Sequence, residues 1–169
     1  MSLTKITEKK FNEAIDIYFL WKELNSKIKN NYTRGVNIHE YITESITCYV
    51  NDFSLSLKGS SEDAVDNNNL KIQIKATSNF NSDLTSFGPK SEFDILHFVR
   101  LNQDEDIMYL YQIPTIDLLN IEVKKGETFL DQQNQGTRPR FSIIEKFIND
   151  YKLSAYSMVN LKTKEVTYF

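Results

Sequence analysis

Apolar residues recur at helical spacing between residues 6 and 30, where Ile15, Tyr18, Phe19 and Leu24 stand among Glu, Asp and Lys. That pattern predicts a long amphipathic helix, whose stripe either packs on a core or pairs with a second copy. "NIHEYITESI" predicts a second helix, with Asn37 as N-cap and Glu40, three residues on, completing a capping box. Glu44 falls one turn further on the same face; it is either an ordinary exposed helix glutamate or a group able to approach an active site.

After residue 51 the period changes from helical to two. "DFSLSLK" alternates Phe53, Leu55 and Leu57 with polar residues, as a half-buried strand does. Strands are expected over 62–66, 70–77, 94–101 and 107–113. "DILHFVR" and "IMYLYQI", separated by the acidic turn "NQDED", read as adjacent central strands, and "PTIDLLNIE" as a short helix opened by Pro114. Residues 124–140, "KKGETFLDQQNQGTRPR", show no period and predict a long polar loop. "FSIIEKFINDY" predicts a helix with Ser142 as N-cap, Glu145 completing its capping box and Phe141 as a hydrophobic staple. "AYSMVNL" and "KEVTYF" then close the sheet as a hairpin.

These elements describe an α/β fold, a mixed central β-sheet flanked by helices. We expect one domain over 1–169, with an N-terminal helical region over 1–50, a sheet region over 51–113 and a polar loop over 124–140. At 169 residues and 40% hydrophobic, the chain can bury one sizeable core. The formal net charge of −3 argues against a general polyanion binder, so any contact with nucleic acid must draw on local positive charge. No apolar run approaches the roughly 20 residues needed to span a bilayer, and the amphipathic start is unlike a secretory leader. No membrane association and a cytoplasmic location are expected. Cys48 is the single cysteine, which leaves no internal disulfide and no cysteine-based zinc site. His39 and His97 both read as structural.

The chemistry concentrates in "EDAVDNNNLKIQIKATS", residues 62–78. A three-residue hairpin loop at Asn67, Asn68 and Asn69 sets Asp66 opposite Leu70, Ala64 opposite Ile72 and Asp63 directly across from Gln73. Asp63, Gln73 and Lys75 then share one face while Ala64, Ile72 and Ile74 point into the core. A carboxylate, an amide oxygen and the Ile74 backbone carbonyl form an oxygen-rich corner suited to a hard cation such as Mg²⁺, with Lys75 beside it to hold or deprotonate a water. The plain alternative is an ordinary hairpin with a solvated polar face.

This stretch resembles the metal site of the PD-(D/E)xK nuclease superfamily, and in "DAVDN", followed at the matching spacing by x-Lys, it is similar to small type II restriction endonucleases of the PvuII kind. The resemblance covers about 25 residues closely and resumes at "DLT", residues 83–85. It implies a restriction-endonuclease-like fold in which Asp63 is the first metal-binding acid, Gln73 stands where most members carry Glu, and Lys75 is the catalytic lysine. It further implies Mg²⁺ as cofactor with Mn²⁺ as a substitute, double-stranded DNA as substrate, a homodimer, and a cognate DNA methyltransferase in the same system. Gln73 is a departure, because an amide offers an oxygen dipole without a charge. Glu44 and Glu62 are possible accessory acids, while Glu62 and Asp66 also read as turn charges. For DNA contact the expected residues are Ser86 and Lys90, in the loop after the catalytic strand, with Arg138 and Arg140 ahead of the last helix. Two rivals stay open: a DNA-binding member whose metal site has decayed, and a repair or defence nuclease without sequence specificity.

Overall fold

The computed structural model describes residues 2–57 and 60–169, so Lys58, the last residue of the "DFSLSLK" pattern, lies outside the described residues. Helix α1, Glu8–Lys29, starts at Thr7, whose hydroxyl accepts the Lys10 N–H at 3.4 Å. It buries Phe11, Ala14, Ile15, Tyr18 and Trp21 and turns Ile17, Leu20 and Leu24 to solvent, so Leu24 is not on the packed stripe as its spacing suggested. Helix α2, Glu40–Asn51, begins later than expected. Its cap is His39, whose Nδ1 accepts the Tyr41 N–H at 3.1 Å, in place of the Asn37–Glu40 box.

The strands are β1 Leu3–Lys5, β2 Ser54–Ser56, β3 Ala64–Val65, β4 Lys71–Thr77, β5 Thr85–Ser86, β6 Ile95–Asn102 and β7 Ile107–Pro114. After α3, Thr115–Leu119, come β8 Glu122–Lys124, β9 Glu127–Thr128, α4 Phe129–Asn134 and β10 Arg140–Phe141. A π-helix, Ile144–Asp150, precedes β11 Ser157–Asn160 and β12 Glu165–Tyr168. Eight strands form one sheet in the order β1-β2-β3-β4-β6-β7-β11-β12, with β4 and β6 parallel and the other neighbours antiparallel. This is the mixed α/β architecture anticipated, including the closing hairpin and the helix after Pro114.

The sheet separates two hydrophobic cores. One holds Tyr18, Ile42, Ile46, Ile72, Ile74, Val99 and Met108, from α1, α2 and one sheet face. The other holds Leu96 and Phe98 from the opposite face, packed with Phe87, Phe129, Phe141 and Ile144. The second core explains why residues 124–140 are not the featureless loop expected. Phe129 is fully buried, and Thr128 and Asp131 cap α4 reciprocally, so a hairpin and a helix form there. Leu57, expected inward, is exposed.

Two carboxylates, buried Asp106 and half-buried Asp83, fasten the connections. Asp106 accepts hydrogen bonds from the Tyr18 hydroxyl at 2.6 Å and the Lys22 ammonium at 2.5 Å, and Lys162 approaches it at 3.2 Å. Asp83 accepts from Ser142 Oγ at 2.7 Å, from the N–H groups of Ile143 and Ile144 at 2.9 Å each, and from Thr85 Oγ1 at 2.6 Å. Ser142 Oγ does accept the Glu145 N–H at 3.1 Å, but among the described residues Glu145 makes no reciprocal side-chain bond, and Asp83 instead takes the Ile143 and Ile144 N–H groups.

Candidate active site

The hairpin that carries the site folds as its asparagines dictate. Asn69 adopts the left-handed conformation at φ 65°, which asparagine tolerates, and Asp66 Oδ1 accepts the N–H groups of Asn68 and Leu70 at 2.8 Å each. Ala64 pairs with Ile72 and Val65 with Lys71, the register set by a three-residue loop.

At Asp63 the structure departs from a simple cross-strand pair. The ladder stops at Ala64, and the Asp63 N–H reaches the Ile72 carbonyl at 2.9 Å. The Asp63 carboxylate then takes the place of a backbone acceptor: Oδ2 receives the Ile74 N–H at 2.6 Å and the side-chain amide of Gln73. Asp63 and Gln73 therefore meet through side chains rather than through the ladder. Ala64, Ile72 and Ile74 face the core as expected. Lys75 is half-buried and makes no side-chain hydrogen bond or ion pair among the described residues.

Burial raises the Asp63 carboxyl above its ordinary range, against the lowering effects of the Ile74 N–H, the Lys75 charge and the Gln73 amide. Glu44 is half-buried rather than exposed, and its carboxyl is pushed up to about 7 by burial and then by the negative charges of Asp63 and Glu40, partly offset by Lys75. Glu44, Asp63 and Lys75 thus share one electrostatic neighbourhood that the helical pattern alone did not reveal. One turn beyond Glu44, the Cys48 thiol is fully buried and its pKa is raised by burial, so it carries no nucleophile.

Ionising Glu44 at that position carries a measurable penalty. A carboxyl that titrates near 4.5 when unfolded and near 7 when folded favours folding below 4.5 and opposes it as pH rises through 7. Glu44→Gln is expected to stabilise the metal-free protein at pH 8 by on the order of 2 kcal/mol, with no gain at pH 4. Urea midpoints at the two pH values in chelator check this.

The oxygens left over suit a hard cation. Neither Asp63 Oδ1 nor Gln73 Oε1 accepts a hydrogen bond among the described residues, and both belong to side chains already in contact. No group of three His, Cys, Asp or Glu able to hold a metal occurs among the described residues, and position 73 contributes an amide. Glu62, the other proposed accessory acid, is buried, and among the described residues its carboxylate receives the Ser61 hydroxyl at 3.2 Å.

The expected DNA-contacting residues lie on other segments of the chain. Ser86 on β5 and Arg140 on β10 are cross-strand partners, so two loops distant in sequence form one ribbon. Arg138 and Lys90 are both exposed. His97 is a buried, neutral core residue. Its Nδ1 lies 2.8 Å from the Tyr156 hydroxyl, itself bonded by Asn51, and burial pushes it down to about 4. Asp83 escaped notice as a fastening residue, because its partners lie some sixty positions away.

Known proteins place this geometry in a family. Residues 6–150 match the model of the family described as Bsp6I restriction endonuclease. The type II restriction enzyme Bsp6I of Bacillus sp. (strain RFL6) is 44% identical over 165 residues, covering 96% of this chain and 94% of that protein. With a match of that extent running through the helices, the hairpin and the sheet, the chain belongs to the Bsp6I restriction endonuclease family.

Proposed function

We propose that this protein is a type II restriction endonuclease that hydrolyses phosphodiester bonds of double-stranded DNA at a short specific site, using a PD-(D/E)xK-type centre built on Asp63, Gln73 and Lys75. The observation that carries the assignment of the site is the Asp63 carboxylate joined to Gln73 and to the Ile74 N–H, with Lys75, two residues along β4, without a partner among the described residues. Similarity to PvuII-like enzymes in "DAVDN" supports the same reading.

Asp63 and Gln73 would hold a divalent cation through their uncommitted oxygens, joined by the Ile74 carbonyl. Mg²⁺, or Mn²⁺ in its place, supplies positive charge to the scissile phosphate and acidifies water. The chain's own part is positional. The Ile74 N–H and the Gln73 amide fix the Asp63 carboxylate, and the Lys75 ammonium, uncommitted to any acid, is free to hold the attacking water and balance negative charge developing on the phosphate. The water oxygen forms a bond to phosphorus, one ester bond to phosphorus breaks, and the departing oxygen takes a proton.

Reading a palindromic site calls for a two-fold dimer, and the exposed Ile17, Leu20 and Leu24 on the outer face of α1 are the surface we assign to it. No helix among the described residues is long and apolar enough to cross a membrane, and we place the enzyme in the cytoplasm beside a protecting DNA methyltransferase.

Incubating the protein with unmethylated phage and plasmid DNA in Mg²⁺ and then Mn²⁺ tests the proposal. Discrete fragments are expected, and a smear would point to a repair or defence nuclease. A second reading, a DNA-binding protein with a decayed centre, draws on the amide at position 73. DNA left intact under every condition, together with no Mg²⁺ or Mn²⁺ binding at millimolar concentration, would favour it.

A further inference from the structure

Beyond the catalytic strand, three connections are tied into one platform by a single buried amide. Asn25 of α1 is 4% exposed; its Oδ1 accepts the Val36 N–H at 2.8 Å and its Nδ2 donates to Gln103 Oε1 at 3.4 Å. Gln103 Nε2 donates in turn to the Ser78 carbonyl at 2.5 Å, and the Trp21 indole donates to the Val36 carbonyl at 3.0 Å. The contact is close enough to need glycine at position 35, where a Cβ would stand 2.0 Å from Asn25 Oδ1.

This platform floors a polar cleft of about 710 Å³. Lys29 and Arg34 stand on one side, Asn79 and Asn81 on the other, and Asp104 is the single acid in the lining. Lys29 and Arg34 are exposed and have no acid partner among the described residues, whereas Lys27, on the same helical turn, is engaged by Glu23 at 2.8 Å. The opposite wall is also held in place: the Arg100 guanidinium lies 3.8 Å over the Phe80 ring and its Nε bonds the Phe80 carbonyl at 2.5 Å. A fixed wall of amides facing two unneutralised cations suits an anionic polymer better than a small apolar ligand.

Position relative to Lys75 selects the polymer. Ser78, in the lining of the cleft, follows Lys75 by three residues, so the cleft adjoins the end of the strand that carries Lys75. We propose that Lys29 and Arg34 form a phosphate clamp on the DNA flanking the cut. The clamp rests on the nuclease reading above, and it adds a contact from the α1–α2 connection to those expected from the loops near β5 and β10.

The test is the salt dependence of binding, measured in chelator with a plasmid fragment, for wild type, Lys29→Ala/Arg34→Ala and Arg34→Lys. Each lost phosphate contact lowers the slope of log K against log salt by about 1, so the double variant is expected to lose about 2 in slope and Arg34→Lys nearly none. Both side chains are exposed, so folding is preserved. A double variant with wild-type slope and affinity overturns the clamp while leaving the nuclease reading standing. Wild-type protein that binds no duplex DNA even at low salt overturns both.

Discussion

Lys75→Ala is expected to leave a folded protein that still binds duplex DNA but cuts it about 10²–10³-fold more slowly, the scale of removing one group that stabilises developing charge. Folding survives because Lys75 is half-buried and makes no hydrogen bond or ion pair among the described residues. Cleavage suffers because Lys75 supplies the positive charge felt at the Asp63 carboxylate. Rates on supercoiled plasmid in Mg²⁺ and Mn²⁺, with circular dichroism of both proteins, give the answer. Wild-type cutting by the variant would remove Lys75 from the chemistry and with it the superfamily assignment of the centre.

The second large effect is one of stability. Asp106→Ala is expected to destabilise the protein by about 3–5 kcal/mol, as removing one partner from a buried charged network does. Asp106 is 2% exposed, and its loss leaves the buried Tyr18 hydroxyl without its acceptor and strips the Lys22 and Lys162 ammonium groups of their acid. Burial alone would push the Asp106 carboxyl up, but hydrogen bonds from Lys22, Tyr18 and Lys162 outweigh it and hold the group below its ordinary 3.8. A carboxylate depressed in this way contributes its stability above 3.8 and loses it as pH falls through the lower folded value. Urea midpoints of wild type and variant should therefore lie far apart at pH 7 and converge in acid. A constant gap across that range would mean that packing, not charge, is what Asp106 supplies.

The hairpin at 62–77 was legible because its signals are local. Asn69 takes the left-handed turn position, Ile72 and Ile74 alternate inward, and the register follows from the loop length. The central strands β6 and β7 were equally plain, being apolar and separated by an acidic turn. What escaped depended on distant partners. Phe129 gives no sign along the chain that it will be buried with Phe87 and Phe141, so the hairpin and helix around it looked like loop. Strand β1 is three residues long, too short to show a period, and exists by pairing with β2. His39 overrode a conventional capping box by using its ring nitrogen. Within the site, the contact between Asp63 and Gln73 was legible and its manner was not, since the end of the ladder at Ala64 leaves no mark in the residue pattern. Glu44 stayed open between a surface residue and an accessory acid, because nothing on its own helix shows that the charge of Asp63 reaches it.

With Arg138 and Arg140 contacting DNA as the resemblance implies, Asp83 would have a bearing on fidelity. It joins the segment leaving the catalytic strand to the chain that has just passed Arg138 and Arg140, through Ser142, Ile143 and Ile144. Beside it, Thr85 and Ser86 pair with Phe141 and Arg140. An arginine drawn out of place by a wrong base pair would pull on the same short stretch that leads back to Lys75. An error in reading would then be felt as misalignment at the bond to be cut, and a near-cognate sequence would be spared even after the protein had settled on it.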